Sequence, residues 1–328
     1  MEKTPFPAII ERRKSVIEKR LRLLAKNRSP RSVYDPIRYV LGAGGKRLRA
    51  VLTLLAAEAV GGNIASALDP AIAIELLHNF TLVHDDIMDN SDLRRCRPTV
   101  HKKWNTNVAI LSGDQLAAAA YEELLRSKGV HIVELTRLFT KAFTAVCEGQ
   151  GYDKEFEDRN DVAVSDYLMM IDKKTAAVIS AAAGLGAIAG GGTRQHVRSL
   201  IRYGTHLGHA FQLQDDVLDI AGDEHEFGKR IVTDILEGKR TFLLLTAFAR
   251  TSGGDRKLVN AVLNRQSADP GLVPKMKALY HRCGALDAAH TIIENESKKA
   301  TRALGSLPPS SARASLEWLA RELRSRRV

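Results

Sequence analysis

Two short aspartate clusters stand out in the sequence because each has the spacing of a metal-binding helix face. Both follow the pattern Asp-Asp-x-x-Asp, and their members are Asp85, Asp86, Asp89, Asp215, Asp216 and Asp219. On a helix that turns about 100° per residue, the first and fifth positions lie about 40° apart. Carboxylate oxygens are ligands that Mg²⁺ accepts, and Mg²⁺ shares its remaining positions between water and substrate phosphate. The two clusters therefore predict two metal-binding walls of one cavity.

The alternative interpretation of one such cluster is a solvated helix face or a helix cap. Apolar residues surround both clusters, however, including Phe80 before the first and Phe211 before the second. Unpaired carboxylates among apolar neighbours cost free energy unless cations neutralise them. Two clusters in this setting favour a metal site over a solvated face.

Basic residues accompany both aspartate clusters. A glycine-rich segment from Gly42 to Arg49 offers backbone N–H groups and three cations to an anion. Further cations are Arg94, Arg95, Lys229, Lys239 and Arg240. Any one of these pairs alone is typical of a solvated surface. Because cations follow both clusters, the pattern favours a bound phosphate-containing substrate.

The elements that position these groups are predicted to be helices. Apolar residues recur at helical spacing before the first cluster, and residues 99–269 contain no proline. Strand alternation and a linker rich in Ser, Gly or Pro are both missing from the sequence. We therefore expect an all-α chain with roughly a dozen helices. Residues 1–328 are expected to form a single domain, although length alone suggests about two.

Composition excludes several function classes. The chain is 45% hydrophobic and 27% charged, which excludes disordered and fibrous proteins. Three cysteines without a CxxC pair argue against a disulfide framework or a cysteine zinc site and favour a reducing compartment. Residues 175–193 lack charge but consist mostly of small residues, so we expect a buried helix and no membrane span. The net charge of +11 favours anionic partners.

Taken together, the motifs resemble those of the trans-isoprenyl diphosphate synthases, also called polyprenyl synthetases. The matching segments are GGKRLR (44–49), HDDIMD (84–89), LRRCRPT (93–99), LSGD (111–114), KT (174–175), FQLQDDVLD (211–219) and FGK…D…EGKRT (227–241). They define a motif-bearing core at about residues 40–250. The resemblance implies a large bundle of mostly antiparallel helices around a central cavity, usually as a homodimer, and we expect the protein to be cytoplasmic. The implied activity is Mg²⁺-dependent head-to-tail (1′-4) condensation of isopentenyl diphosphate with an allylic diphosphate, giving an all-trans prenyl diphosphate.

The resemblance also implies a role for each matching residue. The six aspartates would hold about three Mg²⁺ ions per active site once substrate is bound. The residues implied to contact the allylic diphosphate or the departing pyrophosphate are Arg94, Lys174, Thr175, Gln212, Lys229 and Lys239. Those implied to bind isopentenyl diphosphate are Lys46, Arg49, His78 and Arg95. The catalytic set comprises the aspartates and Lys174. A hydrogen-bonded interior histidine is the alternative for His78, although it lies two turns before Asp85 and nearly on the same face.

Product length and efficiency depend on finer features of the same resemblance. A bulky Phe80, a small Thr81 and no insertion in the first motif look most like geranylgeranyl diphosphate synthases, with farnesyl diphosphate synthases second. Phe80 and Thr81 would help to set the floor of the chain-holding cavity, although Phe80 also belongs to the apolar stripe of its helix. Cys96 and Val232 stand where the family usually has Gly, and a β-branched residue cannot readily take a positive φ. We expect an active enzyme whose efficiency these two positions affect.

Three other functions were weighed against this interpretation. A terpene cyclase would also use aspartate clusters and Mg²⁺, but it needs no isopentenyl diphosphate site such as GGKRLR. A non-catalytic partner of an active synthase is disfavoured by the intact carboxylates. Nucleic-acid binding is suggested by the net charge and the arginine-rich C-terminal end, but recognisable nucleic-acid motifs are missing, so no nucleic-acid partner is expected.

Overall fold

The computed structural model describes residues 6–128, 131–221, 233–264 and 271–325, and most of these residues are helical. The helices α1 to α10 are, in order, Phe6–Leu24, Arg31–Leu41, Leu48–Ala59, Ile64–Met88, Val100–Lys103, Thr106–Leu125, Ile132–Glu157, Val164–Ile171, Ala177–Ala189 and Arg194–Ala221. A π-helical turn, Asp172–Ala176, joins α8 to α9. Later helices are Thr233–Glu237, Phe242–Arg250, Gly253–Leu263, Leu272–Arg282, Ala285–Ala303 and Ser311–Ser325, with a 3₁₀ turn at Leu304–Ser306. The all-α prediction is confirmed.

A short β-hairpin interrupts the helices after the first aspartate cluster. Its strands are Leu93–Arg94 and Arg97–Pro98, which pair antiparallel. The two residues between the strands have positive φ values, as type I′ hairpin turns require. Strands of two residues are too short to show an alternating pattern, so no sequence pattern predicts them.

The described chain forms two compact units. The first unit comprises Met1–Phe143, Val178–Gly204 and Ala303–Leu319, and the second comprises Thr144–Ala177, Thr205–Arg302 and Ala320–Val328. The first aspartate cluster belongs to the first unit, and the second cluster belongs to the second unit.

In the first unit, α4 carries the first aspartate cluster to its C-terminal end. The helix starts after Asn63, whose side chain accepts the backbone N–H of Ser66 at 3.0 Å and so caps the first turn. Every residue from Pro70 to Leu77 is buried. This buried half anchors the helix, while the half that ends at Asp89 is partly exposed.

Small residues allow close helix packing in the same unit. All residues of α9 from Val178 to Ile188 are buried. At Gly186 a Cβ atom would lie 2.0 Å from the carbonyl oxygen of Thr53, so α9 and α3 meet with no room for a side chain. The expectation of a buried helix here is confirmed. No helix among the described residues is both long enough and apolar enough to cross a membrane.

In the second unit, α10 passes close to the π-helical turn. A Cβ atom at Gly208 would lie 2.5 Å from Cα of Ala176. Glycine permits this approach because it has no side chain. The turn residues Lys174 and Thr175 are thereby held beside the α10 segment that leads into the second aspartate cluster.

Candidate active site

The first cluster is built on the last turn of α4. Asp89 is the C-cap residue, and its backbone N–H donates to the carbonyl oxygen of Asp85 at 2.8 Å. Asp86 is 5% exposed and accepts from Nε and Nη2 of Arg94 at 2.8 and 2.7 Å, both on Oδ1. The C-terminal end of a helix carries partial negative charge, which adds to that of the carboxylates. This end of α4 therefore attracts cations, and one cation of the protein already lies on it.

A second feature of the first unit is a partly buried group of arginines around His78. Nη1 of Arg49 lies 3.1 Å from Nε2 of His78. Because arginine only donates, Nε2 is the acceptor and the neutral ring carries its proton on Nδ1. Burial, followed by the charges of Arg49 and Arg95, holds the pKa of His78 well below its usual value. The positive charge collected here favours an anion.

Arg95 joins this group from the hairpin. Its Nη1 donates to the carbonyl oxygen of Gly44 in the glycine-rich segment. Burial and the charge of Arg47 lower the pKa of Arg95. Lys46, the remaining predicted residue for isopentenyl diphosphate, is exposed on the same segment.

One cation of the glycine-rich segment is used inside the protein instead. Arg47 is 3% exposed and donates to Oε1 of Glu18 at 2.7 Å, to Oε1 of Glu75 at 3.0 Å and to the carbonyl oxygen of Leu41 at 2.6 Å. The expectation that all three cations of this segment are available to an anion is therefore wrong. A buried arginine needs partners for its donors, and carboxylates from α1 and α4 supply them.

The second cluster is centred on the buried carboxylate of Asp216. The hydroxyl of Tyr167 donates to Oδ2 at 2.5 Å, and Nε2 of Gln212 donates to Oδ1 at 3.1 Å. The hydroxyl of Thr175 donates in turn to Oε1 of Gln212 at 2.7 Å. Burial and the negative charge of Asp234 raise the pKa of Asp216 to about 8, although both hydrogen bonds oppose the shift. The ionised form of Asp216 therefore lacks enough positive charge around it.

Other predicted site residues of the second unit have charged partners or accept backbone hydrogen bonds. Nζ of Lys174 donates to Oδ2 of Asp153 at 2.6 Å. The backbone N–H of Asp234 donates to Oδ2 of Asp219 at 3.3 Å. Nζ of Lys239 lies 3.7 Å from Oδ1 of Asp234. Asp215 is exposed.

Two residues named from the sequence, Lys229 and Val232, lie outside the described residues.

The donor atoms of both clusters fit Mg²⁺. All six predicted ligands offer hard carboxylate oxygens, which Mg²⁺ prefers over nitrogen or sulfur. Burial and then the negative charge of Asp234 raise the pKa of Asp216, and a divalent cation would favour the ionised carboxylate. Asp86 is buried and pairs with Arg94 through Oδ1, and its carboxylate is the same type of ligand.

The two residues proposed to set product length lie one to two turns before Asp85. The ring of Phe80 packs edge-on against His84 at 4.7 Å and Phe143 at 5.1 Å between centroids. The hydroxyl of Thr81 donates to the carbonyl oxygen of His78 at 2.9 Å. Phe80 is thus part of an aromatic cluster, and its role in product length stays a prediction.

Sequence reasoning missed three groups that contact the predicted residues. Tyr167 binds Asp216 and Asp153 binds Lys174, while the backbone of Asp234 binds Asp219. Asp234 stood within a recognised motif, so that signal was available. No local sequence pattern pointed to Tyr167 or Asp153, because their partners lie 49 and 21 positions away in the sequence.

Cys96 provides a test of the hairpin geometry. It lies in the turn with φ 58°, beside Arg95 with φ 53°, and left-handed backbone costs a non-glycine residue about 1–2 kcal/mol. We expect Cys96→Gly to be more stable towards urea than Cys96→Ala by about 1 kcal/mol, since only glycine relieves this conformation. Equal stability of the two variants would contradict the turn geometry.

Comparison with known proteins was made by sequence and by structure. Residues 30–280 match the polyprenyl synthetase family. A short chain isoprenyl diphosphate synthase of Methanothermobacter thermautotrophicus is 39% identical over 313 residues, covering 95% of this chain and 96% of the relative. A geranylgeranyl diphosphate synthase of Methanosarcina mazei is 43% identical over 243 residues, covering 74% of this chain and 75% of the relative. The crystal structure of geranylgeranyl pyrophosphate synthetase from Pyrococcus horikoshii aligns with a TM-score of 0.90 at 37% identity, covering 98% of both chains.

Proposed function

Because the chain belongs to the polyprenyl synthetase family, we propose that it condenses isopentenyl diphosphate with allylic diphosphates and releases mainly geranylgeranyl diphosphate. The resemblance drawn from the motifs is thereby confirmed, and the chain is a prenyltransferase. The twenty-carbon product is supported by the geranylgeranyl synthases among its relatives.

The observation that carries the proposal is the hydrogen-bonded chain from Thr175 through Gln212 to Asp216. It joins Thr175, a predicted diphosphate-binding residue that follows Lys174 in the sequence, to a predicted metal ligand. A carboxylate that needs a cation and a lysine that can bind phosphate are thus held by neighbouring elements of one unit. This is the arrangement that ionisation of a diphosphate ester requires.

The reaction needs no nucleophilic side chain. The allylic C–O bond breaks with its electron pair moving to pyrophosphate, and the double bond of isopentenyl diphosphate forms the new C–C bond. A proton then leaves, and we assign it to the released pyrophosphate. When bound, Mg²⁺ would neutralise the charge that develops on the leaving group.

The chain's own residues bind and orient the two diphosphates. We assign the allylic diphosphate to Arg94, Lys174, Thr175, Gln212, Lys229 and Lys239. We assign isopentenyl diphosphate to Lys46, Arg49, His78 and Arg95. His78 is neutral in the protein without ligand, so it can donate its Nδ1 proton without adding a charge. Each aspartate motif contributes its three carboxylates to Mg²⁺, about three ions in all.

The test is a chain-elongation assay with the purified protein. Labelled isopentenyl diphosphate and Mg²⁺ are supplied with dimethylallyl, geranyl or farnesyl diphosphate in separate reactions, and the dephosphorylated products are sized. We expect a twenty-carbon alcohol from each primer. A fifteen-carbon end point would assign a farnesyl diphosphate synthase instead.

Two further outcomes distinguish the remaining alternatives. A hydrocarbon product formed without isopentenyl diphosphate would identify a terpene cyclase. A folded protein that elongates none of the three primers would be a non-catalytic partner of another synthase.

We also propose a cytoplasmic homodimer. The three cysteines form no disulfide, in keeping with a reducing compartment. Large apolar side chains on α6 are exposed, namely Ile110, Leu111 and Leu125 at 42%, 56% and 60%. We infer that a second copy covers the exposed apolar residues of this helix, of which Ile110 and Leu111 are adjacent.

Substitution of an exposed apolar residue on α6 tests whether this surface forms the dimer interface. We expect light scattering of the wild-type protein to give twice the mass of the 36.0 kDa chain. Leu111→Glu should shift the mass towards one chain, because it places a charge on the apolar surface. Lys257→Glu, which alters charge at an exposed position on the helix Gly253–Leu263, is the control and should leave the mass unchanged. A monomeric wild type would contradict the proposal.

A further inference from the structure

A cluster of two histidines and a glutamate lies in the second unit, on residues that the proposed reaction does not use. Nδ1 of His206 lies 2.7 Å from Oε2 of Glu296, and Nδ1 of His209 lies 3.5 Å from the same oxygen. The histidines are three positions apart on α10, which places them on one face. Glu296 comes from the helix Ala285–Ala303. One potential ligand atom from each residue lies within 4.8 Å of the other two.

These separations suit a small divalent ion. Zinc–nitrogen and zinc–oxygen bonds are about 2.0–2.2 Å long, so two ligands of a tetrahedral ion lie about 3.4 Å apart. The separation of 3.5 Å between His209 and Glu296 is close to that value, and the separation of 2.7 Å between His206 and Glu296 is shorter. Binding of one ion by all three atoms would therefore require His206 and Glu296 to move apart by about 0.7 Å.

The outer contacts of the cluster also resemble those of metal sites. Nε2 of His209 lies 2.9 Å from Oδ1 of Asp172, which holds the ring with Nδ1 towards Glu296. A carboxylate behind a metal-binding imidazole is a recurring feature because it fixes the ring and makes it more basic. Nζ of Lys299 donates to Oε1 of Glu296 at 2.8 Å, which leaves Oε2 to the histidines.

The protonation of the cluster sets the cost of binding. Although burial opposes it, hydrogen bonds from His206 and His209 lower the pKa of Glu296, so the carboxylate is ionised. Burial lowers the pKa of His209, but its hydrogen bonds to Asp172 and Glu296 outweigh burial and raise this pKa to about 9. A metal ion must displace that proton, and so we expect affinity on the order of micromolar rather than nanomolar.

We propose that His206, His209 and Glu296 form a binding site for a divalent transition metal, with Zn²⁺ as the best match. Two imidazole nitrogens and one carboxylate oxygen select such ions over Mg²⁺, which prefers oxygen ligands alone. The side chains are 28%, 24% and 11% exposed, so an ion can reach them from solvent. Since Asp172 begins the π-helical turn that contains Lys174 and Thr175, a bound ion would also fix this turn through His209.

The experiment is a metal-binding measurement on the full chain. The protein is stripped with a chelator, returned to millimolar Mg²⁺ so that the aspartate motifs are occupied, and dialysed against Zn²⁺ at pH 8. We expect about one Zn²⁺ per chain that excess Mg²⁺ does not displace. Co²⁺ in place of Zn²⁺ should give visible absorption bands typical of nitrogen coordination.

Three variants make the test specific. His206→Gln and Glu296→Gln should each weaken Zn²⁺ binding by about tenfold or more, and circular dichroism checks that both fold. His290→Ala removes an exposed histidine from the same helix as Glu296 and should leave binding unchanged. A wild type that binds no Zn²⁺ under these conditions would show a hydrogen-bonded cluster only. A folded His206→Gln variant that binds Zn²⁺ as tightly as the wild type would likewise show that the cluster is only hydrogen-bonded. Neither result would count against the proposed prenyl elongation, because that activity is measured separately on the same samples.

Discussion

Asp216→Asn is expected to lower kcat for prenyl elongation by about a hundredfold or more, because it would remove one of the proposed Mg²⁺ ligands and its negative charge. The same variant should be more stable than the wild type without Mg²⁺. Burial and the charge of Asp234 disfavour the ionised carboxylate, which is why its pKa is raised to about 8. An amide of the same size removes that cost, and we expect a gain of about 1 kcal/mol or more in the free energy of unfolding.

The two effects are measured on one preparation. Steady-state rates with farnesyl and isopentenyl diphosphate give kcat, and urea unfolding at pH 8 with a chelator gives stability. Asp287→Asn, at an exposed position in the first turn of its helix, is the control for activity and should leave kcat unchanged, whereas loss of its interaction with the helix dipole should lower rather than raise stability. A kcat within about threefold of the wild type would remove Asp216 from the catalytic set.

Phe80→Ala is expected to move the main product beyond twenty carbons. The ring of Phe80 packs against Phe143 and His84. Phe80 lies five residues before Asp85, a distance of about 7.5 Å along the helix axis. If the growing chain extends from the metal site towards this ring, its removal opens space for at least one more five-carbon unit. Loss of the partly buried ring should also cost about 1–3 kcal/mol of stability.

Chromatography of the dephosphorylated products measures the chain length of the main product. Tyr121→Phe keeps the ring that lies 6.2 Å from Phe143 and removes only a hydroxyl, so it should leave product length unchanged. An active Phe80→Ala variant that still stops at twenty carbons would show that Phe80 serves only the packing of the aromatic cluster.

The spacing of residues in the sequence was sufficient to predict the helices and the two acidic clusters. Asp85, Asp86 and Asp89 are positioned by their own helix, so a helical repeat places them without knowledge of any other element. The buried, small-residue helix α9 was predictable for the same reason, since composition alone separates it from a membrane span.

Contacts between distant positions could not be predicted in this way. Nothing in the spacing of Lys46, Arg47 and Arg49 tells which cation is buried, because the answer depends on Glu18 and Glu75. The bond from Tyr167 to Asp216 and the cluster of His206 with Glu296 depend on tertiary packing in the same way. The hairpin at Arg95 and Cys96 was missed because its strands are too short for a pattern.

The buried contacts of Arg47 have a consequence for ligand binding at the glycine-rich segment. Three elements hold this side chain, through Glu18 of α1, Leu41 of α2 and Glu75 of α4. The backbone on either side is therefore fixed before any anion arrives, even though Gly44 and Gly45 would otherwise be the most mobile residues of the segment. A diphosphate at the proposed site of Lys46 and Arg49 would meet a preorganised backbone, so little of its binding energy would be lost in ordering the protein.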